Sequence, residues 1–357
     1  MSGRRLTLRK RAALEIQRRL ENDLRTEHPL KQLFWECTLR CNLHCRHCGS
    51  DCKTSAQQSD MPLNDFLHVL DSVERKYRPE DVFIAVSGGE PLMRDDLEQC
   101  GRAFSNRGYS WGMVSNGLYL TPERYEKLRE SGLTSVTISL DGLEQNHNWM
   151  RGHSDSFNKA SRAIDILLAD HEMVFDVVTC VTEHNYEELP ALRQFLKEKG
   201  VKDWRLLTVF PMGRAAKNSE MQLTKMHFRG LMDFILETRQ QKQIHTQYGC
   251  EGFLGGYEFD VRDGAYICMA GVTVASVLID GSISACTSIR ADYHQGNIYR
   301  DDFLDVWENR FELYRSDEWK HTGECADCKL FRYCRGGGMH LHDSDGSLLL
   351  CHYKRLE

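Results

Sequence analysis

Residues 32–48 read QLFWECTLRCNLHCRHC, and this stretch decides the architecture of the chain. The segment 32–36 has the apolar character of a buried strand, and Cys41, Cys45 and Cys48 follow it in a C-x3-C-x2-C loop. Three thiolates in so short a loop can hold three irons of a four-iron cluster and leave the fourth iron free to bind another molecule. A structural zinc site normally takes four ligands from paired C-x2-C motifs. The spacing therefore favours a catalytic iron–sulfur cluster over zinc.

Strand-like and helix-like segments alternate from this loop to about residue 215. Amphipathic polar stretches such as 64–77, 121–130 and 186–199 separate the apolar runs. Such a βα repeat predicts a parallel sheet with helical crossovers, and six units are too few for a closed eight-stranded barrel. We therefore predict an α/β fold, a partial (β/α)6 TIM-like barrel with a small C-terminal Cys-rich α+β iron–sulfur domain. The predicted strands are 32–36, 82–86, 110–114, 135–140, 175–181 and 204–210.

The chain divides into four predicted parts. Residues 1–30 form an amphipathic helix that either packs on the main domain or offers a docking surface, 31–215 form the partial barrel, 216–250 a helical bridge and 251–357 the Cys-rich domain. In the last part Asp280-Gly281 separates two apolar runs, which predicts a hairpin. So little other apolar sequence remains there that we expect metal clusters to stabilise the domain. The apolar stripe predicted for the first helix comprises Ala13, Ile16, Leu20 and Leu24.

Composition narrows the class of protein further. The chain has 357 residues, a formal net charge of -6 and 14 cysteines. The acidic excess argues against a nucleic-acid partner, and no apolar run is long enough to predict a membrane span. The first 20 residues lack the apolar segment of a secretory signal, so we predict a cytoplasmic protein whose thiols stay reduced. Many cysteines in a reducing compartment indicate metal or iron–sulfur ligands.

The cysteine loop resembles the hallmark of the radical S-adenosylmethionine (SAM) superfamily, C-x3-C-x-aromatic-C, with His47 in the aromatic position. The resemblance implies a [4Fe–4S] cluster on Cys41, Cys45 and Cys48 whose open iron binds the amino and carboxylate groups of SAM. The reduced cluster would cleave SAM to methionine and a 5′-deoxyadenosyl radical, and the radical would abstract hydrogen from a substrate. A flavodoxin- or ferredoxin-type protein is the implied electron donor.

Further matches to the superfamily follow in the expected order. Gly88-Gly89-Glu90 ends the second predicted strand and is similar to the GGE motif, in which we expect the glycines to let the backbone approach the cofactor and Glu90 to accept from the SAM amino group. Arg151 resembles an arginine that pairs with the SAM carboxylate. Asp141 is interpreted as a loop cap, and residues 211–215 (PMGRA) either match peptide-modifying relatives or form a plain turn. The predicted cofactor-binding residues are Gly88, Gly89, Glu90, Ser115, Ser139 and Arg151.

The C-terminal cysteines resemble a SPASM domain, which carries two auxiliary iron–sulfur clusters. This resemblance implies an outer [4Fe–4S] cluster and an inner cluster held in part by Cys268 and Cys286. Gly338 stands where the pattern expects another inner ligand, and Cys250 is our candidate for the third. The inner cluster would then have an open iron site or a smaller [2Fe–2S] core, with His340 and His342 as weaker substitutes and a pair of structural zinc sites as the alternative for the whole region. The predicted outer ligands are Cys325, Cys328, Cys334 and Cys351.

The resemblance leads to one principal function and several alternatives. We predict an enzyme that abstracts hydrogen from a ribosomally synthesised precursor peptide and leaves a cross-link or another modification. An anaerobic sulfatase-maturing enzyme is less favoured, because Thr287 stands where that subgroup carries an aspartate base. Modification of a tetrapyrrole or other small molecule, and a non-catalytic iron–sulfur protein, remain open. Cys37 and Cys52 receive no role, and Cys100 and Cys180 are interpreted as buried structural thiols.

Overall fold

One mixed sheet flanked by helices organises the protein. The computed structural model describes residues 4–249, 251–289 and 291–357. The strands in this part of the chain are β1 (Gln32–Thr38), β2 (Phe83–Gly88), β3 (Trp111–Ser115), β4 (Leu133–Ser139), β5 (Val174–Val181), β6 (Asp203–Thr208), β7 (His245–Tyr248), β8 (Val274–Val277), β9 (Ser282–Ser284) and β10 (Gly296–Asn297).

Helices cover the sheet and follow most of its strands. None of those in the described ranges is long and apolar enough to cross a membrane. They are α1 (Leu8–Glu27), α2 (Leu63–Val73), α3 (Leu97–Asn106), α4 (Pro122–Glu130), α5 (Glu144–Arg151), α6 (Ser156–Leu168), α7 (Leu189–Lys199), α8 (Lys225–Gln241), α9 (Phe303–Asn309), α10 (Glu312–Arg315), α11 (Phe331–Cys334) and α12 (His352–Leu356).

Strands β1 to β6 lie side by side in chain order, and each pairs in parallel with the next. This arrangement confirms the predicted α/β class and the partial, unclosed barrel. The buried aromatic rings of Trp35 in β1, Phe66 and Phe104 pack together with centroids 4.8 to 5.7 Å apart, Trp35 stacked on Phe66 and Phe104 edge-on to both. All the parallel strands point their carboxyl ends to one edge of the barrel, where loops collect the polar side chains.

The sheet extends beyond the six predicted strands. β7 adds in parallel to β6, and β8 adds in parallel to the opposite side of β1. β8 and β9 form the hairpin that Asp280-Gly281 predicted, so this hairpin continues the barrel sheet. The sequence of β7, HTQY, is too short and polar to predict a strand, so it was included in the predicted bridge.

Helix α1 packs with a different face from the one predicted. Leu14 is buried against Phe253 and Tyr266 of the C-terminal part, and Arg25 donates to the backbone carbonyls of Tyr314 and Arg315. Of the predicted stripe, Ile16 and Leu20 remain 63% and 59% exposed. The helix thus packs, as one of the two predicted alternatives has it, but not through Ile16 and Leu20, because polar contacts, which apolar periodicity does not record, fix its rotation. Gln17 and Lys10 supply further contacts of this kind, to the carbonyls of Ala265 and Gly256.

Candidate active site

Three thiols of the β1 loop surround a cavity at the carboxyl edge of the barrel. Cys41 and Cys45 are buried, Cys48 is half-buried, and all three line a cavity of about 140 Å³. A set of soft thiolates converging on one space suits an iron–sulfur cluster or a thiophilic metal. All six predicted cofactor-binding residues line the same cavity: Gly88, Gly89, Glu90, Ser115, Ser139 and Arg151.

The end of β1 explains the two glycines of the GGE segment. A Cβ atom on Gly88 would lie 2.1 Å from the Thr38 carbonyl oxygen, and one on Gly89 would lie 2.1 Å from the Arg40 carbonyl oxygen. The backbone N–H groups of Gly89 and Glu90 donate to these same two carbonyls, at 2.7 and 2.9 Å. The glycines are therefore required where the chain entering the cysteine loop runs close beside the end of β2. This contact, and not only the approach of a cofactor, constrains the motif.

Glu90 joins the ends of β2 and β3 beside the cavity. Its carboxylate accepts from the Ser115 hydroxyl at 2.8 Å, from the Asn116 backbone N–H at 2.8 Å and from the Leu92 backbone N–H at 3.2 Å. Burial raises the pKa of Glu90, and these donors oppose the shift. Asn116 also reaches the cysteine loop, because its amide donates to the Asn42 side chain at 2.8 Å. No role was predicted for Asn116, and its position directly after Ser115 was the available signal.

Arg151 and Asp141 form a buried ion pair behind the cavity. The Arg151 Nε atom lies 2.7 Å from Asp141 Oδ2, and its Nη1 donates to the Cys45 sulfur at 3.7 Å. Asp141 accepts from the Cys180 backbone N–H at 2.9 Å and so links β4 to β5. Burial would raise the pKa of Asp141, but the Arg151 guanidinium holds it below its usual value. Arg151 thus contacts Cys45 and lines the cavity at the same time.

Residues 211–215 fix the cysteine loop from the far side of the barrel. Arg214 donates through Nε to the Cys45 carbonyl at 2.7 Å and through Nη1 to the Cys52 carbonyl at 3.1 Å. Its backbone N–H donates to the Cys48 carbonyl at 3.0 Å. Gly213 has φ +56°, and a Cβ there would lie 2.5 Å from the carbonyl oxygens of Cys48 and Gly49. This segment is therefore a specific contact of the site and not a plain turn.

The thiols of the loop differ in their surroundings. Burial raises the pKa of Cys45, and it raises that of Cys41 to about 12. Cys48 is the exception: a hydrogen bond from the Cys52 thiol is the main cause that lowers its pKa to about 5, with help from backbone N–H groups and Arg214. Cys52 is buried and lines the same cavity. Cys37 instead packs in the core, where its carbonyl accepts from Arg94.

The C-terminal thiols meet around a second cavity. The predicted outer ligands all line this space of about 390 Å³. Burial raises the pKa of Cys334, and the neighbouring thiols Cys351, Cys325 and Cys328 raise it further, which shows that the four thiols lie close together. Four soft thiolates gathered in one place are a donor set that fits an iron–sulfur cluster, as predicted for these residues. The residues brought together are Cys325, Cys328, Cys334 and Cys351.

The predicted inner ligands are only partly placed. Cys268 and Cys286 both lie near the buried Tyr314 side chain, whereas Cys250 lies outside the described residues. At Gly338 a Cβ would meet the Tyr266 hydroxyl and the His340 ring at 2.6 to 2.9 Å. The side chains around Gly338 therefore fill the space that the expected cysteine would need.

The fold and the gathered thiols match two known domain families. Residues 35–196 match the radical SAM superfamily model, and residues 268–329 match the SPASM iron–sulfur cluster-binding domain. The chain therefore carries a radical SAM domain followed by a SPASM domain. These domains imply SAM and iron–sulfur clusters as its cofactors.

Curated relatives cover most of the chain. An AdoMet-dependent heme synthase of Methanosarcina barkeri is 26% identical over 89% of this chain and 93% of its own length. A mycofactocin maturase of Mycolicibacterium smegmatis is 28% identical over 86% of this chain and 77% of its own length. Proteins named for different products are thus similar to this chain over most of its length.

Solved structures share the fold. The anSMEcpe structure with bound AdoMet and a Cp18Cys peptide has a TM-score of 0.69 and 22% identity, covering 92% of this chain and 94% of its own. SuiB of Streptococcus suis bound to precursor peptide SuiA has a TM-score of 0.68 and 17% identity, covering 89% of this chain and 75% of its own. The partial barrel with its C-terminal Cys-rich part is therefore a known arrangement.

Proposed function

We propose that the protein is an enzyme that abstracts hydrogen from a ribosomally synthesised peptide and leaves a cross-link or another post-translational modification. The observation that carries the proposal is the meeting of Cys41, Cys45 and Cys48 with Glu90 and Arg151 at one cavity. With a [4Fe–4S] cluster and SAM bound there, reductive cleavage of SAM would supply the 5′-deoxyadenosyl radical that takes the hydrogen atom. A flavodoxin- or ferredoxin-type protein would supply the electron.

The residues around the cavity would hold SAM by its polar groups. The Glu90 carboxylate has about four lone-pair positions, and the three donors described above leave one for the SAM amino group. Arg151 would present its guanidinium to the SAM carboxylate while Asp141 holds its Nε edge. Ser139 lines the cavity at the end of β4, where its hydroxyl would bind the ribose. Each of these residues would thus act by holding SAM in a fixed orientation.

A groove next to the cavity, lined mainly by residues with polar side chains, supports a peptide as the substrate. The groove has a volume of about 490 Å³ and shares Arg214 with the cysteine cavity. An extended peptide carries a donor and an acceptor at nearly every residue, so it suits a polar lining. The groove is lined by His44, Arg46, Asp51, Gly213, Arg214 and Asn218.

Tetrapyrrole modification is the second candidate. The observation that favours it is the similarity to AdoMet-dependent heme synthases and to an Fe-coproporphyrin III synthase, at 23–26% identity. Sulfatase maturation has less support, because Thr287 offers no carboxylate to act as the base expected in that subgroup. The substrate must therefore be decided by experiment.

Co-expression with the short open reading frames beside the gene tests the peptide proposal. We expect mass spectrometry to find one encoded peptide that has lost hydrogen mass, and tandem spectra to place the change on one residue. The C41A/C45A/C48A variant is the control and should leave the peptide unchanged. If every peptide stays unmodified while added Fe-coproporphyrin shifts its Soret band and is converted, the peptide proposal is wrong and the tetrapyrrole candidate replaces it.

A further inference from the structure

The cysteine cavity is lined by a fourth thiol that the superfamily motif does not include. Cys52 is 4% exposed and packs in one cluster with Cys41, Cys45 and Cys48. Its thiol hydrogen-bonds to the Cys48 sulfur and lies close enough to Cys41 for their charges to interact. The four thiols therefore face the same cavity. Four is the number of cysteine ligands that a [4Fe–4S] cluster needs when every iron is bound by cysteine.

The backbone holds Cys52 in this position from two sides. The Cys41 N–H donates to the Lys53 carbonyl at 2.9 Å, and Arg40 and Lys53 form a parallel bridge. Arg214 donates to the carbonyl of Cys52 itself at 3.1 Å. Because these contacts tie Cys52 to the cysteine loop and to the β6 loop at once, its place beside the cavity is built into the fold.

The other cysteine that flanks the loop offers a contrast. Cys37 is fully buried in the main hydrophobic core, and its nearest charged neighbour is Arg94. It does not belong to the set of described residues that line the cysteine cavity. Proximity in sequence to the motif therefore does not place a thiol at the site, and the position of Cys52 requires its own explanation.

We propose that Cys52 is a fourth ligand of the radical SAM cluster in the absence of SAM, binding the iron that the three-cysteine motif leaves open. Cys52 would release its thiol proton on binding iron. The SAM amino and carboxylate groups would then displace the Cys52 sulfur from the iron, and Cys52 would take up a proton again. No electron is transferred in this exchange. The role of such a ligand is to protect the open iron until SAM arrives. The inference rests on the proposed SAM chemistry of the same site.

Oxidation of the SAM-free cluster tests this assignment. A [4Fe–4S] cluster with one iron not bound by protein loses that iron on oxidation and gives a [3Fe–4S] electron paramagnetic resonance (EPR) signal. We expect ferricyanide to produce a several-fold larger [3Fe–4S] signal in the reconstituted C52A variant than in the unsubstituted enzyme. C37A is the matched control and should behave as the unsubstituted enzyme, and the C41A/C45A/C48A variant gives the contribution of the auxiliary clusters to subtract.

A binding measurement separates iron ligation from a structural role. Removing a ligand that SAM must displace should tighten SAM binding to C52A several-fold, whereas a packing defect would weaken it. Equal [3Fe–4S] signals in C52A and the unsubstituted enzyme, with SAM still cleaved to 5′-deoxyadenosine, would overturn the role of Cys52 and leave the proposed function intact. If the unsubstituted enzyme gives no more 5′-deoxyadenosine than the triple variant does, the proposed function fails and this assignment fails with it.

Discussion

The Arg151→Met substitution is expected to lower the free energy of unfolding of the cluster-free protein by about 3–5 kcal/mol. The substitution removes the cation that faces Asp141, a residue with 0% exposure whose Oδ2 lies 2.7 Å from Arg151 Nε. A buried carboxylate without its partner must lose its charge or unfold the site. The substitution also removes the contact between Arg151 and the Cys45 sulfur. Urea denaturation at neutral pH measures the loss of stability.

The pH dependence of the variant follows from the same pair. In the unsubstituted protein the folded-state pKa of Asp141 is lowered, so the pair stabilises the protein above the unfolded pKa and its contribution fades on acidification. Without Arg151, burial raises the folded pKa of Asp141 above the unfolded value. The stability deficit of Arg151→Met should therefore shrink as the pH falls from about 7 to about 5.

Two controls identify the cause of the loss. Arg78 pairs with Asp81 while its own side chain is 71% exposed, so Arg78→Met should leave the stability almost unchanged. The double variant Arg151→Met/Asp141→Leu should recover much of the stability, because neither charge is then left alone. Equal losses for Arg151→Met and Arg78→Met would contradict the buried pair as the source.

The Gly89→Ala substitution is expected to destabilise the cluster-free protein by about 3 kcal/mol and to prevent iron from loading at the cysteine loop. The added Cβ would lie 2.1 Å from the Arg40 carbonyl oxygen and 2.7 Å from its carbonyl carbon. Both atoms are backbone, so the clash is relieved only by moving the chain that leads into Cys41. The radical SAM centre should then lose its share of iron while the C-terminal thiols retain theirs.

Gly49 provides the matched control in the same loop. An added Cβ there would meet no atom within 4 Å, so Gly49→Ala should leave stability and iron content almost unchanged. Iron analysis and thermal unfolding of both variants check the prediction. Normal iron loading in Gly89→Ala would show that the close contact between the end of β2 and the cysteine loop does not constrain the site.

Much of this architecture could be predicted from the sequence, because the decisive signals are local. The spacing of Cys41, Cys45 and Cys48 and the alternating strands and helices are each visible within a short window. Arg214 is different, because it donates to the Cys45 carbonyl although the two residues are 169 positions apart. Only the folded barrel brings the loop after β6 next to the cysteine loop. The position of Cys52 could not be predicted either, because sequence spacing alone does not say which way a cysteine four residues after Cys48 points. The bridge between Arg40 and Lys53 fixes it in the fold.

The packing of α1 shows where periodicity misleads. Ile16 and Leu20 share a helical face with the spacing of a packing stripe, yet they are exposed. The helix instead presents Leu14 together with Gln17 and Arg25, whose hydrogen bonds to C-terminal carbonyls decide its rotation. Polar side chains that pack by donating to backbone leave no apolar pattern in the sequence.

The central claim is that the thiols of Cys41, Cys45 and Cys48 hold the centre at which SAM is cleaved. The most direct measurement is the amount of 5′-deoxyadenosine that anaerobically reconstituted, reduced protein forms from SAM. We predict steady formation by the unsubstituted enzyme and none by the C41A/C45A/C48A variant, although that variant keeps the iron bound by its C-terminal thiols. No 5′-deoxyadenosine from the unsubstituted enzyme, or equal amounts from both proteins, would contradict the claim.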